Sequence, residues 1–280
     1  MSQLFANHWK DYELLDAGGN KKLERWGKVR TIRPERNAYF RSVQTHEEWR
    51  VQADFEFVEH SNTKGEWKQL NPQAPREWAI NYKALQFKLQ LTKFKHVGIF
   101  PEQQANWAFI ENHLNEGDRF LNLFGYTGAA SLVARAQGAD VFHCDSVKQV
   151  ITWGRENMEL SGLSDIHWVL EDALKFAQRE VKRGRSYKGI IMDPPAFGIG
   201  AKKERWKIED LFPELLETVL KLKEDDGVII SNTYSPRLEE KEILQIGNAL
   251  IQSEKIKVDT LCLKTTTDKV IEYGQRTLIS

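Results

Sequence analysis

The chain has 280 residues, 41% of them hydrophobic and 29% charged, with 40 Lys and Arg balanced by 40 Asp and Glu. That length holds one large domain, or a medium domain plus a small one. Zero net charge supplies no global field for nucleic acid, no run reaches the apolar length of a membrane span, and two cysteines without motif spacing argue against disulfides or a zinc site. The N-terminal Met-Ser-Gln-Leu-Phe-Ala-Asn-His lacks the basic-then-apolar plan of a signal peptide, so the expected compartment is the reducing cytoplasm, with no membrane partner.

Residues 1–95 read as a small β-rich domain. Strands are expected at 12–15 and 28–32 around the turn signal Asp16-Ala-Gly-Gly-Asn20. Further short strands are expected at 49–57, 67–70 and 78–82. Residues 85–91, Leu-Gln-Phe-Lys-Leu-Gln-Leu, alternate with period two as a half-buried strand should. The tryptophans here read as core. This region also carries a modest excess of basic residues, among them Arg25, Lys28, Arg30, Arg33, Arg36 and Arg41. Pro101 then starts a helix through Trp107, Ile110 and Leu114.

From residue 96 onward strands and helices alternate. Strands are expected at 120–124, 140–144, 166–169, 188–192 and 227–231, and helices at 128–137, 147–160, 173–182, 209–223 and 238–252. Two last strands, near 256–263 and 270–279, are joined by too short a link for a crossover and must form a hairpin, so the last strand runs antiparallel. The pattern implies an α/β domain over 96–280 with a mostly parallel sheet wrapped by helices.

Two stretches carry the chemistry. In Phe120-Leu-Asn-Leu-Phe-Gly-Tyr-Thr-Gly128 an apolar strand stops at Gly125 and a helix begins near Gly128, a geometry that lets backbone approach a ligand closely. The next strand ends at Asp145, about twenty positions on, where a βαβ nucleotide fold places a carboxylate on ribose hydroxyls. The turn is not G-x-G-x-x-G, Tyr126 is bulky where phosphate would sit, and no Gly-Lys-Ser/Thr follows, so NAD and ATP are disfavoured. A ribose ligand without phosphate, such as S-adenosylmethionine, suits the turn better. The second stretch, Ile190-Ile-Met-Asp-Pro-Pro-Ala-Phe197, delivers Asp193 to a strand's carboxyl end, and two prolines stiffen the loop that presents Phe197. An aromatic to stack on a flat base and a carboxylate to hold its amine would orient it for in-line methyl transfer. Gly198-Ile-Gly200 and the basic cluster after it, with Lys202, Lys203 and Arg205, read as a loop able to close over substrate.

Gly125 and Gly128, Asp145, Asp172 and Asp193-Pro-Pro-Ala-Phe197 together resemble the class I S-adenosylmethionine-dependent methyltransferases over essentially everything after residue 95. Leu121-Asn-Leu-Phe-Gly-Tyr-Thr-Gly128 with Asp-Pro-Pro-x-Phe, the small β domain and the Gly98-Ile-Phe-Pro-Glu-Gln103 linker are similar to one branch, the bacterial enzymes that methylate 23S ribosomal RNA at cytidine C5 or guanosine N7. Members often carry a PUA domain, for which the first 95 residues leave no room. The resemblance implies a Rossmann-like seven-stranded sheet with the last strand antiparallel, S-adenosylmethionine as cofactor, S-adenosylhomocysteine as product, and no metal. It places Asn122, Phe124, Gly125, Tyr126, Thr127 and Gly128 at the methionine end and turn, and Asp145 with Ser146 at the ribose. Asp172 with Ala173 would meet the adenine, and Asp193, Pro194, Pro195 and Phe197 the target base. Phe100 and Gln103 would cover the cofactor.

Methylating cytosine C5 requires a cysteine to add to C6 first. In the cytidine branch that cysteine follows the fifth strand, but here the stretch reads Ser231-Asn-Thr-Tyr-Ser235, and Cys144 and Cys262 lie inside predicted strands as core residues. The expected function is therefore methyl transfer to a base nitrogen of RNA, ribosomal by resemblance. The rivals are a methyltransferase of proteins or small molecules, and a non-catalytic RNA-binding protein.

Overall fold

The computed structural model describes residues 2–6, 9–61, 64–199, 205–251 and 255–280. The chain divides into two compact units: residues 1–4, 105–261 and 274–280 form one, and 5–104 with 262–273 form the other. Each is described in its own right.

In the smaller unit, β2 (Tyr12–Gly18), β3 (Lys21–Trp26), β4 (Val29–Pro34), β5 (Phe55–Ser61) and β6 (Lys64–Gln69) form a five-stranded sheet in that order, and β7 (Glu77–Tyr82) pairs with β8 (Leu85–Gln90) in a separate hairpin. The strand expected over 49–57 is overturned in its first half. Helix α1 (His46–Gln52) occupies it, because Thr45 and Glu48 form a reciprocal capping box that starts a helix at that point. Only from Phe55 does the chain become extended. The turn signal at 16–20 also resolves more finely: Asp16 stays in β2, and the reversal falls on Gly19 and Asn20, both at positive φ. Trp26 and Trp49 are fully buried and Trp9 and Trp67 nearly so, as core residues should be.

Beneath β3 and β4 lies a buried network of charge. The Glu24 carboxylate, fully buried, accepts Arg33 Nε at 2.6 Å, Arg33 Nη2 at 2.7 Å and the Tyr12 hydroxyl at 3.0 Å. Lys22 lies 3.4 Å from Glu24 and 3.1 Å from Glu35. Burial alone would raise the Glu24 pKa, but the charges of Arg33 and Lys22 and the hydrogen bonds hold it below its ordinary value.

In the larger unit an eight-stranded sheet has the order β1-β16-β17-β15-β12-β9-β10-β11 among the described residues. Its members are β1 (Ser2–Phe5), β9 (Arg119–Leu123), β10 (Asp140–Asp145), β11 (Ile166–Leu170), β12 (Tyr187–Met192), β15 (Lys223–Thr233), β16 (Ile256–Lys264) and β17 (Val270–Ile279). Seven are the expected strands, and the last is antiparallel to β15, pairing Ile229 with Ile279. The eighth, β1, comes from the N-terminus and lies at the edge beside β16, where four residues with little period-two pattern give no sequence signal.

The helices are α2 (Gln104–His113), α3 (Ala129–Ala136), α4 (Lys148–Leu160), α5 (Ala173–Lys182), α6 (Ile208–Leu220) and α7 (Glu240–Leu250). Side chains alternate across the sheet. Leu121, Leu123, Ile190 and Met192 share a core with Phe176 and Ala177 of α5, Phe212, Leu215 and Leu216 of α6, and Ile243 of α7. The opposite-facing Asn122 and His143 meet Ser131 of α3. The loop expected after Phe197 is in part a hairpin, with β13 (Phe197–Ile199) antiparallel to β14 (Arg205–Lys207); Gly200, Lys202 and Lys203 lie outside the described residues.

Glu24→Gln keeps the shape but leaves the Arg33 guanidinium without a buried counter-charge, and should cost ~3–5 kcal/mol in urea denaturation. The wild-type contribution has a definite sign. A carboxyl whose folded pKa is depressed stabilises above its unfolded pKa and loses that stabilisation as pH falls through the folded value. The gap between wild type and variant should therefore be full at neutral pH and shrink under acid, and a gap independent of pH would discard the ion-pair explanation.

Candidate functional site at the carboxyl ends of the parallel strands

The register of the sheet brings the expected residues to one edge. Leu123 pairs with Cys144 on one side and Met192 on the other, and Met192 pairs with Ser231. The residues that follow these strands are therefore level: Phe124 and Gly125 after β9, Asp145 closing β10, Glu171 and Asp172 after β11, Asp193 after β12, and Asn232 and Thr233 ending β15. From β9 the chain moves outward through β10 and β11, then returns to β12 on the other side of β9. That reversal is the switch point at which open α/β sheets hold ligands.

The turn after β9 is built for a close approach. Phe124 and Tyr126 both lie at positive φ (58° and 52°), and Gly128 at 87°, a region that non-glycine residues rarely enter without a tertiary reason. Gly125 is itself not left-handed. Its requirement is steric, since a Cβ there would stand 2.3 Å from His143 Cε1. Gly125 N–H donates to the Cys144 carbonyl at 3.0 Å, and Gly128 N–H to the Gly125 carbonyl at 3.0 Å. Thr127 is buried, and its carbonyl accepts Asn157 Nδ2 of α4 at 3.0 Å.

Beneath the turn a chain of buried polar groups fixes the ring of His143. Asn122 Nδ2 donates to Ser131 Oγ at 2.9 Å, which leaves the hydroxyl proton for His143 Nδ1, also at 2.9 Å. The ring proton then sits on Nε2. Burial drives the His143 pKa down to about 3, so the imidazole is neutral. Trp168 of β11 packs 4.6 Å from it and fills the space that a side chain at Gly154 would need. Asn122, expected at the methionine end, is buried and its amide is engaged with Ser131. Ser131, His143, Asn157 and Trp168 carry no motif and no expected role in the sequence. The only signal available was polarity at buried positions of an apolar strand and helix.

Asp145 links two elements. Oδ2 accepts Tyr126 N–H at 3.0 Å and Oδ1 accepts Val147 N–H at 2.8 Å. Burial raises its pKa, and the N–H groups of Val147, Tyr126 and Ser146 pull the other way. Asp172 caps α5 by accepting Lys175 N–H at 3.0 Å, and Ala173 behind it is buried. A hollow of about 190 Å³ is bordered by Asp172, Lys175, Gln178 and Trp206 among others.

The loop after β12 is held from below. Asp193 N–H donates to the Leu123 carbonyl at 3.3 Å, Pro194 is buried, and Ile208 N–H donates to the Ala196 carbonyl at 3.1 Å. Trp206 Nε1 donates to the Pro195 carbonyl at 2.6 Å, while its ring lies 5.0 Å from Phe124. Trp206 thus ties the proline loop to the glycine turn, a role the sequence hid within a basic cluster. Phe197, 61% exposed, is left at the surface. Ser231 and Asn232 are buried, and Asn232 Oδ1 accepts Asn106 Nδ2 at 2.9 Å. Cys144 is buried at the level of Leu123, its thiol pushed well up by burial and by the nearby carboxylates. Phe100 and Gln103 belong to the smaller unit, where Phe100 precedes a short 3-10 turn, Pro101–Gln103, and Gln103 is buried.

The residues fit a nucleoside ligand that carries no phosphate: the turn has no side chain at Gly125 and Gly128, and a carboxylate lies at the next strand end. Gly125→Ala must displace His143 or the turn, and should weaken S-adenosylhomocysteine binding by about ten- to a hundredfold in calorimetry; unchanged affinity would separate the turn from the ligand. Asp145 takes up a proton at higher pH than an ordinary aspartate. If its carboxylate accepts from ribose hydroxyls, affinity should fall as pH is lowered through that raised pKa, and Asp145→Asn should bind weakly with no such fall.

A family model described as S-adenosylmethionine-dependent methyltransferase matches residues 45–232, including part of the smaller unit. A crystal structure of a methyltransferase of this kind from Agrobacterium tumefaciens superposes with a TM-score of 0.94 at 31% identity, covering 100% of this chain and 93% of that one. SMU.776, crystallised with S-adenosylhomocysteine, shares the fold with a TM-score of 0.78 at 18% identity, over 98% of this chain and 76% of its own. The ribosomal RNA large subunit methyltransferase K/L of Pseudoalteromonas translucida is 28% identical over 193 residues, 67% of this chain and 27% of the relative. The corresponding K enzyme of Neisseria meningitidis is 28% identical over 157 residues, 55% of this chain and 44% of its own. The chain spans about a quarter of the length of the first of these curated relatives. On the match of the family model over more than half of this chain, together with the shared fold, the chain belongs to the S-adenosylmethionine-dependent methyltransferases.

Proposed function

We propose that this protein transfers a methyl group from S-adenosylmethionine to a base nitrogen of RNA, with ribosomal RNA as the acceptor. The observation that carries the reading is the Asp193-Pro-Pro-Ala-Phe197 loop, set level with the glycine turn and beside a β15 end that offers Ser231, Asn232 and Thr233 but no cysteine. The K/L and K relatives are ribosomal RNA methyltransferases by name, which supports an RNA acceptor.

The chemistry that the bound cofactor supplies is a methyl group already activated on a sulfonium. The protein's own part is to position and exclude water. In this reading the Asp145 carboxylate accepts from the ribose hydroxyls on lone pairs beyond those used by Tyr126 and Val147, with Ser146 beside it. The Asp172 oxygen that does not cap α5 accepts from the adenine amine over Ala173. Phe197 stacks on the target base, and Asp193 with the loop carbonyls holds its amine so that the ring nitrogen points at the methyl. Stiffness is essential here. Pro194, Pro195 and the Trp206 hydrogen bond hold the loop without the entropy of a mobile segment.

A nitrogen acceptor follows from the electronic demand. Cytosine C5 becomes nucleophilic only after a thiolate adds to C6, and Cys144 is buried with a thiol held protonated at ordinary pH. A guanine N7 lone pair needs neither thiolate nor base.

The first test offers tritiated-methyl S-adenosylmethionine with total RNA, protein extract and small-molecule extract as separate acceptors, followed by nucleoside analysis. Label in RNA at a nitrogen is expected. 5-Methylcytidine would overturn the argument from the missing cysteine, and label only in protein or metabolites would discard the RNA acceptor. Asp193→Ala should reduce transfer by about a hundredfold or more while leaving S-adenosylhomocysteine affinity nearly unchanged. Loss of both together would assign Asp193 to the cofactor.

A further inference from the structure

Of the six basic residues that stand out in the N-terminal sequence, the fold engages several internally. Arg33 is buried against Glu24, and Arg25 pairs with Glu13 at 2.7 Å and donates to the Gly27 and Lys10 carbonyls. Arg36 and Arg41 are exposed, on a loop over residues 34–44 that places an aromatic side chain in water between them. Tyr39 is 83% exposed, and Val43 on the same loop 61%.

Single exposed apolar residues are ordinary, but this loop is anchored along its length. Asn20 N–H donates to the Ala38 carbonyl and Gly19 N–H to the Phe40 carbonyl, each at 2.8 Å. The Asp16 carboxylate accepts Val43 N–H at 3.0 Å and Gln44 N–H at 2.9 Å. Asn37 Nδ2 donates to the Glu272 carbonyl at 2.6 Å. Lys269 Nζ donates to the Arg41 carbonyl and stands 5.4 Å over the Phe40 ring. A Cβ on Gly18 would lie 2.1 Å from Ser42 N, so backbone packs on backbone there. Ala38 points into the core, whereas its neighbour Tyr39 is held outward.

We infer that the loop of residues 34–44 is a binding surface for single-stranded RNA, with a base stacked on Tyr39 and phosphates met by Arg36, Arg41 and Lys269. It rests on the reading that the acceptor is RNA. Charge favours this partner over an acidic or apolar one. The cations of the loop and of the adjoining turn point to a polyanion, and three carboxylates around them are already matched: Glu35 to Lys22 at 3.1 Å, Asp268 to Lys264 at 2.6 Å, and Asp16 to backbone N–H groups. A pre-ordered aromatic loses little freedom when a base stacks on it, and stacking tolerates any base. Selection of the nucleotide is left to the site at the sheet's edge.

The test uses the full chain with a fluorescein-labelled oligouridylate for anisotropy and with deproteinised total RNA for methyl-transfer kinetics. Tyr39→Ala should weaken oligonucleotide binding and raise the KM for RNA by about tenfold or more, with kcat, S-adenosylhomocysteine affinity and melting temperature unchanged. Tyr39→Phe should restore binding to within about twofold, since the ring face is what stacks. Arg36→Ala with Arg41→Ala should flatten the slope of log affinity against log salt by about 1.4, two phosphate contacts on a single strand. Wild-type transfer to RNA with a Tyr39→Ala variant of unaltered KM and affinity would overturn this inference alone. Wild-type transfer only to protein or metabolites, with no oligonucleotide binding, would overturn the RNA acceptor and this surface with it.

Discussion

The turn after β9 can take its shape only because nothing projects from position 125, and nothing can project there because His143 already fills the space. That single steric relation organises the site. His143 is held by Ser131, Ser131 by Asn122, and the ring is backed by Trp168, which in turn needs a glycine at position 154 of α4. Strands β9, β10 and β11, helices α3 and α4, and the turn itself are thus locked through one neutral imidazole. A charged imidazole would be expensive in so dry a place, and burial keeps it neutral. With the turn fixed, its Tyr126 N–H reaches the Asp145 carboxylate, and the strand end that carries Asp145 is fixed as well.

The other half of the site is stiffened differently. The prolines of the Asp193 loop restrict the backbone covalently, and Trp206 returns from the hairpin to grip the Pro195 carbonyl while its ring lies against Phe124. The glycine turn and the proline loop are therefore coupled by one indole. An enzyme that works chiefly by positioning needs this sort of support, since a misplacement of an ångström costs orders of magnitude in rate.

The smaller unit shows the same economy with charge. Its core accepts Glu24, Arg33, Lys22 and Tyr12 only as a mutually satisfied set, so that removing one leaves the others costly. Trp9, Trp26, Trp49 and Trp67 go inward, while Tyr39 is carried outward on a loop that the Asp16 carboxylate and the β2–β3 turn hold in place.

The sequence by itself determined the alternation of strands and helices after residue 96, the hairpin that reverses the last strand, and the position of the glycine turn, Asp145 and the proline loop at the ends of their strands. These are local matters: period, glycine and proline stereochemistry, and spacing along one βαβ unit. Helix α1 was legible too, in the Thr45–Glu48 capping box, where the sequence reading placed a strand from residue 49. Only the tertiary structure decided the rest, because the rest depends on residues far apart in the chain. The addition of β1 to the sheet edge, the placement of Ser131 and His143 under Gly125, the grip of Trp206 on the proline loop and the outward setting of Tyr39 each need a partner that no local pattern names. A buried histidine in an apolar strand and a tryptophan in a basic run look unremarkable until the sheet's register sets them against the turn and the loop they support.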